Sequence, residues 1–133
     1  MVCVPGGNLR TLILIAAAEA LAWIGMVIHN LADLPGLTLS SGENVWPGAV
    51  WLLLFALLVL VPRSPWPATL LFSWGLLNLV GGALSVLPLP FLPYHPEQTL
   101  PHYFFHVLYA GAQLPLLVVS RREQRRRHLK ERI

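Results

Sequence analysis

His102 and His106 stand four residues apart in a stretch, Pro93 to Gln113, that holds three of the chain's five histidines. On a helix that spacing puts two imidazoles on one face, a turn apart, as in zinc-binding helices. Tyr109 and Gln113 continue the seam, and the four side chains fall within an arc of about 60°. The residues between them are mostly Phe, Leu, Val and Ala. His29 offers a third nitrogen ligand from another segment, and Asp33, Glu43 or Glu97 an oxygen ligand. A pair from facing helices, His29 with His106, would instead suit the two axial positions of a haem. His95 lies in a proline-rich stretch and is the outlying member. The plainer reading is that these histidines cap helix ends and bond loop carbonyls, and an HxxxH pair alone is a weak motif. Ionisable groups inside apolar segments are costly and usually functional.

A second polar layer is expected deeper. Glu19, Trp23, Met26, Asn30 and Asp33 recur at helical spacing on one face. Glu19 lies about 16 Å along the axis from Asn30, and Gln113 about the same distance from His102. Asn78 falls near that level on a third segment. The expectation is that Glu19, Asn78 and Gln113 meet inside the molecule, with Tyr109 just above. An unpaired acid there is expensive, so it is neutral or hydrogen-bonded. Such a layer is a proton relay or a pocket for a polar head group. As mere interhelical glue it contributes about 0.6 kcal/mol per bond.

The elements that must position these residues are helices in lipid. The 133 residues are 56% hydrophobic and only 11% charged, against about 25% charged for a soluble domain. Residues 10–30 are long enough to cross a bilayer. Glu19 within them, and an apolar run beyond any cleavage point, argue against a removed signal peptide. Residues 46–62 form a second, shorter span with no ionisable group, read as the peripheral helix facing lipid or a partner. Ser40 and Glu43 have capping-box spacing ahead of it, and Asn44 is an alternative cap. Arg63-Ser64-Pro65-Trp66-Pro67 is a tight link to span three, residues 67–87, where Gly75, Asn78, Gly82 and Ser85 share a face suited to close helix contact. Five prolines between 88 and 101 exclude regular helix there. Span four covers 100–120, with Pro115 expected to kink its far end, and a basic tail covers 121–133. The fold expected is an all-α integral membrane protein, a single domain of four transmembrane helices in an up-down-up-down bundle.

Charge orients it. Seven of the nine Lys and Arg follow Ser120, and the other two are Arg10 and Arg63. All then fall on one side of the bilayer. The opposite loops carry Asp33, Glu43 and Glu97. Basic loops stay inside, so both termini are expected in the cytoplasm of a plasma or inner membrane. Four of the five histidines then gather at the outer end. The tail is expected to anchor topology and attract anionic lipid at about 1 kcal/mol per charge. Nucleic-acid binding fits so short a juxtamembrane segment poorly. One cysteine, Cys3, excludes an internal disulfide or a cysteine metal cage.

The function expected is a small polytopic membrane protein whose outward-facing pocket, with Glu19, Asn30, Asn78, Tyr109 and Gln113, binds a transition metal, a haem or a small amphipathic ligand such as a quinone. The metal ligands would be His29, His102, His106 and Asp33. Two other readings stand beside it. One is a non-catalytic accessory or scaffold subunit of a membrane complex. The other is an oligomeric carrier with Glu19 as the coupling site.

Overall fold

A computed structural model describes residues 9–88, 90 and 97–131. Its elements are all helical: α1 (Leu9–Asp33), α2 (Gly42–Leu60), α3 (Trp66–Leu77) and α4 (Leu100–Glu131). Beyond Leu77 the α3 segment continues as a π-helical turn, Asn78–Gly82, and a 3-10 turn, Ala83–Val86. Four helical segments, with the third counted to Val86, are long and apolar enough to cross a membrane. Their outer surfaces remain apolar, with Ile13, Leu21, Ile24, Leu52, Leu60, Leu77, Val80, Val107 and Leu114 exposed.

Side-chain contacts set the topology. The end of α1 meets the start of α4 through His29 and His106. Along α3 and α4 the partners run in opposite directions: Thr69 with Gln124, Asn78 with Tyr109, Ala83 with His106. Trp23 of α1 reaches the Asn44 carbonyl at the start of α2. Each helix is therefore antiparallel to its sequence neighbour, and α4 closes against α1. The core follows the inner stripes, with Ile15, Ala18, Ala22 and Met26 on α1, Trp51, Leu54 and Leu58 on α2, Ala68 and Leu71 on α3, and Leu116 on α4.

The α1–α4 contact is the closest. A Cβ on Gly25 would lie 2.4 Å from the Ala112 Cβ, so the pair permits backbone approach that larger residues forbid. At Gly48 a Cβ would meet the Trp23 indole nitrogen at 2.8 Å. That bare surface is what lets Trp23 lie across α2 and donate to the Asn44 carbonyl at 2.8 Å.

Several local expectations change. α2 begins at Gly42, four residues before the expected span, and encloses Pro47. Its N-cap is Ser41, without a side-chain cap bond, so the Ser40–Glu43 capping box does not form. Span three is not regular: the π turn interrupts it. The basic tail, expected as a topology anchor, is helical through Glu131 as a direct extension of α4, and part of its charge packs inside the bundle. Arg127 is buried and donates to the Leu58, Val61 and Ser64 carbonyls at 2.9, 2.8 and 3.1 Å. Those are carbonyls at and beyond the end of α2 that have no helical donor left. Glu123, also buried, holds Arg127 at 2.7 Å and Arg126 at 2.6 Å. His95 and most of the proline-rich connector lie outside the described residues.

Candidate functional site

At the end of the bundle where α1 finishes and α4 begins, three histidines and one aspartate converge. His29 Nε2 and His106 Nε2 stand 3.0 Å apart, their rings edge to face with centroids 4.3 Å apart. Asp33, one turn beyond His29, brings Oδ2 to 3.6 Å from His29 Nε2 and 3.3 Å from His102 Nδ1. That oxygen is buried and makes no hydrogen bond. Ligating atoms of His29, Asp33 and His106 all lie within 4.8 Å of one another. His102 meets the His106 ring edge to face, with centroids 4.6 Å apart, and joins the group through Asp33.

The hydrogen bonds around this cluster decide which nitrogens carry protons. The chain starts at a backbone carbonyl, which can only accept. Asn44 Nδ2 donates to the Thr38 carbonyl at 2.8 Å. Asn44 therefore presents its oxygen to Asn30, whose Nδ2 donates to it at 2.9 Å. The same Nδ2 lies 3.4 Å from the Glu43 carbonyl, which Pro47, lacking N–H, leaves without its helical donor. Asn30 then turns its own oxygen to His29 Nδ1 at 3.0 Å, so His29 carries its proton on Nδ1. On the other helix His106 Nδ1 donates to the Ala83 carbonyl at 2.8 Å. In the neutral imidazoles both Nε2 atoms are then bare lone pairs.

Two lone pairs at 3.0 Å, with a buried carboxylate oxygen beside them, repel one another. The arrangement is stable when a cation sits among them. Zn–N bonds of about 2.0–2.1 Å in tetrahedral geometry put neighbouring ligand atoms about 3.3 Å apart; the 3.0 and 3.6 Å separations here bracket that value. Outer hydrogen bonds from the non-ligating nitrogen to a carbonyl or amide oxygen are the usual means of aiming metal-binding histidines. A haem does not fit between this pair. Two axial bonds of about 2 Å need the nitrogens about 4 Å apart across a flat macrocycle, and the tilted rings leave no such slot.

The π turn supplies Ala83's place. The Ala83 N–H reaches back to the Asn78 and Leu79 carbonyls, the widened spacing of a π turn, a feature frequent at functional sites. Gly82 faces Tyr109 so closely that a Cβ would lie 2.7 Å from the phenol oxygen. Tyr109 donates to Asn78 Oδ1 at 2.9 Å, and Asn78 donates to the Trp74 carbonyl at 2.8 Å. Its ring also lies 5.5 Å from that of His29, forming the floor under the histidines.

The deeper layer does not assemble as expected. Tyr109 and Asn78 pair, but Gln113 Nε2 donates to the Ala22 carbonyl at 3.0 Å. Glu19 bonds to neither Asn78 nor Gln113. It is buried on the α2 side of α1, in an apolar groove of about 630 Å3. The face shared by Glu19, Trp23, Met26, Asn30 and Asp33 is broad enough to address two neighbours, and its residues divide between them. Asn30 belongs with the histidines, where it orients one of them. Glu43 and Glu97 are exposed.

Sequence reasoning missed Asn44, Thr38 and Ala83. A lone Asn at the start of an apolar span was a usable signal, obscured by its fitness as a cap. Two backbone carbonyls give none.

No protein-family model, curated protein or solved structure matches the chain. Function is therefore read from the site.

Proposed function

We propose that the chain is a four-span integral membrane protein that binds a divalent transition-metal ion at the extracytoplasmic end of its bundle. His29, His106 and Asp33 are the ligands, and His102 steadies Asp33. One observation carries the reading: two Nε2 atoms meet at 3.0 Å while both Nδ1 atoms are committed to oxygen acceptors. Mixed nitrogen and oxygen donors suit Zn2+ and its neighbours. Three protein ligands leave a fourth position for water or a passing ligand, the pattern of sites that act on or exchange what they hold. The apolar exterior supports membrane insertion. The gathering of Arg10, Arg63 and the tail on one side supports a cytoplasmic placement of that side, which puts the histidines outside.

The same observation favours a second reading, in which a shared proton rather than a metal joins the two imidazoles. Metal analysis of the purified protein separates them. Titration with Zn2+ and with Co2+, whose visible spectrum reports its coordination, is expected to show one ion per chain, lost in His106→Ala and His29→Ala. Affinity is expected to fall as pH drops toward about 6, where protons compete for the imidazoles. Absence of stoichiometric binding would overturn the metal reading and leave the proton. Binding unaffected by His106→Ala would place the ion elsewhere.

A further inference from the structure

The seam between α1 and α4 ends, away from the histidines, in a cleft of opposite character. Gln113 bonds the Ala22 carbonyl. Counting equally along the two antiparallel helices from that bond brings Leu14 level with Arg121, and Thr11 level with Gln124. A cleft of about 200 Å3 opens there, lined by Thr11, Leu14, Val119, Arg122, Glu123 and Arg126. Leu14 and Val119 form its apolar wall, and the other four its polar rim. The apolar run of α4 ends at Val119 and its charges begin at Arg121, while Leu14 is exposed on the apolar surface of α1. The cleft therefore straddles the level at which this end of a membrane bundle passes from hydrocarbon to headgroup.

Its charge is not balanced within the chain. Glu123 is the one carboxylate in the lining, and two guanidinia share it, Arg127 at 2.7 Å from the buried side and Arg126 at 2.6 Å from the cleft. Arg122 is exposed and makes no ion pair among the described residues. The residues ahead of α1 include no Asp or Glu. Three guanidinia therefore stand around one carboxylate, and the surplus is positive. Arg121 is turned away, bonded to Gln124 and lying over the Phe72 ring of α3. Thr11 adds a hydroxyl from the first turn of α1, where the helix dipole also favours an anion. Guanidinium forks bind phosphate oxygens in pairs, and at this depth the resident anions are lipid phosphates. The cleft is smaller than the roughly 300–1,000 Å3 of small-molecule sites. It has room for a headgroup, with acyl chains left on the apolar surface beyond Leu14.

We infer that this cleft binds an anionic phosphate group through Arg122, Arg126 and the Thr11 hydroxyl, with the headgroup of an acidic phospholipid as the source expected at this depth. The inference rests on the membrane-spanning part of the reading above and not on the metal. It differs from the diffuse attraction of a basic tail to an anionic surface, which follows the number of charges and not their place. In a built cleft Arg122 counts, and Arg125, exposed outside it, does not.

The test titrates the full chain, purified in a non-ionic detergent, with dioctanoyl phosphatidylglycerol, dioctanoyl phosphatidylcholine and glycerol 3-phosphate in turn, read by calorimetry. Saturable binding of phosphatidylglycerol is expected, tighter than that of phosphatidylcholine, whose own cation competes with Arg122, and weakened by added salt. Arg122→Gln removes a charge-assisted bond and is expected to weaken binding about tenfold or more. Leu14→Trp fills the cleft from its exposed wall and is expected to abolish binding. Arg125→Gln removes the same charge from the same tail outside the cleft and is expected to bind within about twofold of the parent. Circular dichroism reports whether each variant is helical, and resistance to alkaline carbonate checks membrane insertion separately. Glycerol 3-phosphate binding as tightly as the lipid, and lost in Arg122→Gln, upholds the phosphate site and assigns its source to water. Phosphatidylcholine binding as tightly as phosphatidylglycerol, equal losses in Arg122→Gln and Arg125→Gln, or no saturable binding of either phosphate overturns the inference.

Discussion

Asn30 offers the sharpest test of the proposed site, because it touches no ligand atom of the cation yet decides what His29 can do. Its oxygen accepts from His29 Nδ1 at 3.0 Å and its nitrogen donates to Asn44 Oδ1 at 2.9 Å. Asn30→Ala removes both. His29 is then free to take the other tautomer or rotate, and loss of such an orienting partner typically lowers metal affinity about 10–100-fold, or about 1.4–2.7 kcal/mol. It also strands the buried Asn44 oxygen, at about 1–3 kcal/mol of stability. Asn30→Asp separates the two effects. A carboxylate still accepts from His29 Nδ1, and more strongly, but it faces Asn44 Oδ1 as a second acceptor. Zn2+ affinity is expected to equal or exceed the parent's, while the metal-free protein loses stability as Asn30→Ala does. Chelator competition in detergent gives the affinities, and thermal unfolding of the metal-free forms gives the stabilities. Equal loss of affinity in both variants would refute the tautomer reasoning. An unchanged Asn30→Ala affinity would refute the site.

Other outcomes follow from the same structure. Arg127→Met uncovers the Leu58, Val61 and Ser64 carbonyls and half-empties the Glu123 pair; breaking a buried pair of this kind costs about 3–5 kcal/mol, measurable as reduced resistance to denaturing detergent. Burial pushes the Glu123 carboxyl up, but hydrogen bonds from Arg126 and Arg127 outweigh it and hold it below its ordinary value of 4.5. Its contribution is thus fully present above pH 4.5 and is lost as pH falls through the lower folded value, so Glu123→Gln is expected to flatten the acid limb of a stability profile. Gly82→Ala places a Cβ 2.7 Å from the Tyr109 oxygen, which is expected to break the bond to Asn78 and cost about 1–3 kcal/mol by thermal melt. Cysteine labelling in intact cells is expected to find Arg125 positions protected, and Asp33 and Glu97 positions accessible; the reverse pattern would move the histidines to the cytoplasmic side.

Much of this was legible in the residues. Hydropathy runs and the Arg-Ser-Pro-Trp-Pro link located the helices, because apolar length and proline act locally. The gathering of His29, His102, His106 and Asp33 at one end of the bundle was legible too, since four alternating spans bring the end of α1 and the start of α4 to the same level. Rotation was the blind spot. Glu19 sits on the same stripe as Asn30, but a helix wedged between α2 and α4 divides one stripe between two partners, and spacing does not say where the division falls. The tail was read as a topology anchor drawn to anionic lipid; the vacant carbonyls at the end of α2 that draw Arg127 inward carry no residue signature.

The π turn at Asn78–Gly82 is, in effect, one residue more than a regular helix would use. Removing a residue there would restore an ordinary ladder and turn the rest of that segment, Ala83–Val86, by about 100° relative to α4. Hydropathy, length and loop charge would scarcely change, and the chain would still thread the bilayer four times. The Ala83 carbonyl, however, would leave His106, whose proton would no longer be pinned to Nδ1. A single codon therefore separates two genes with the same topology, of which only one encodes a fixed pair of facing imidazoles.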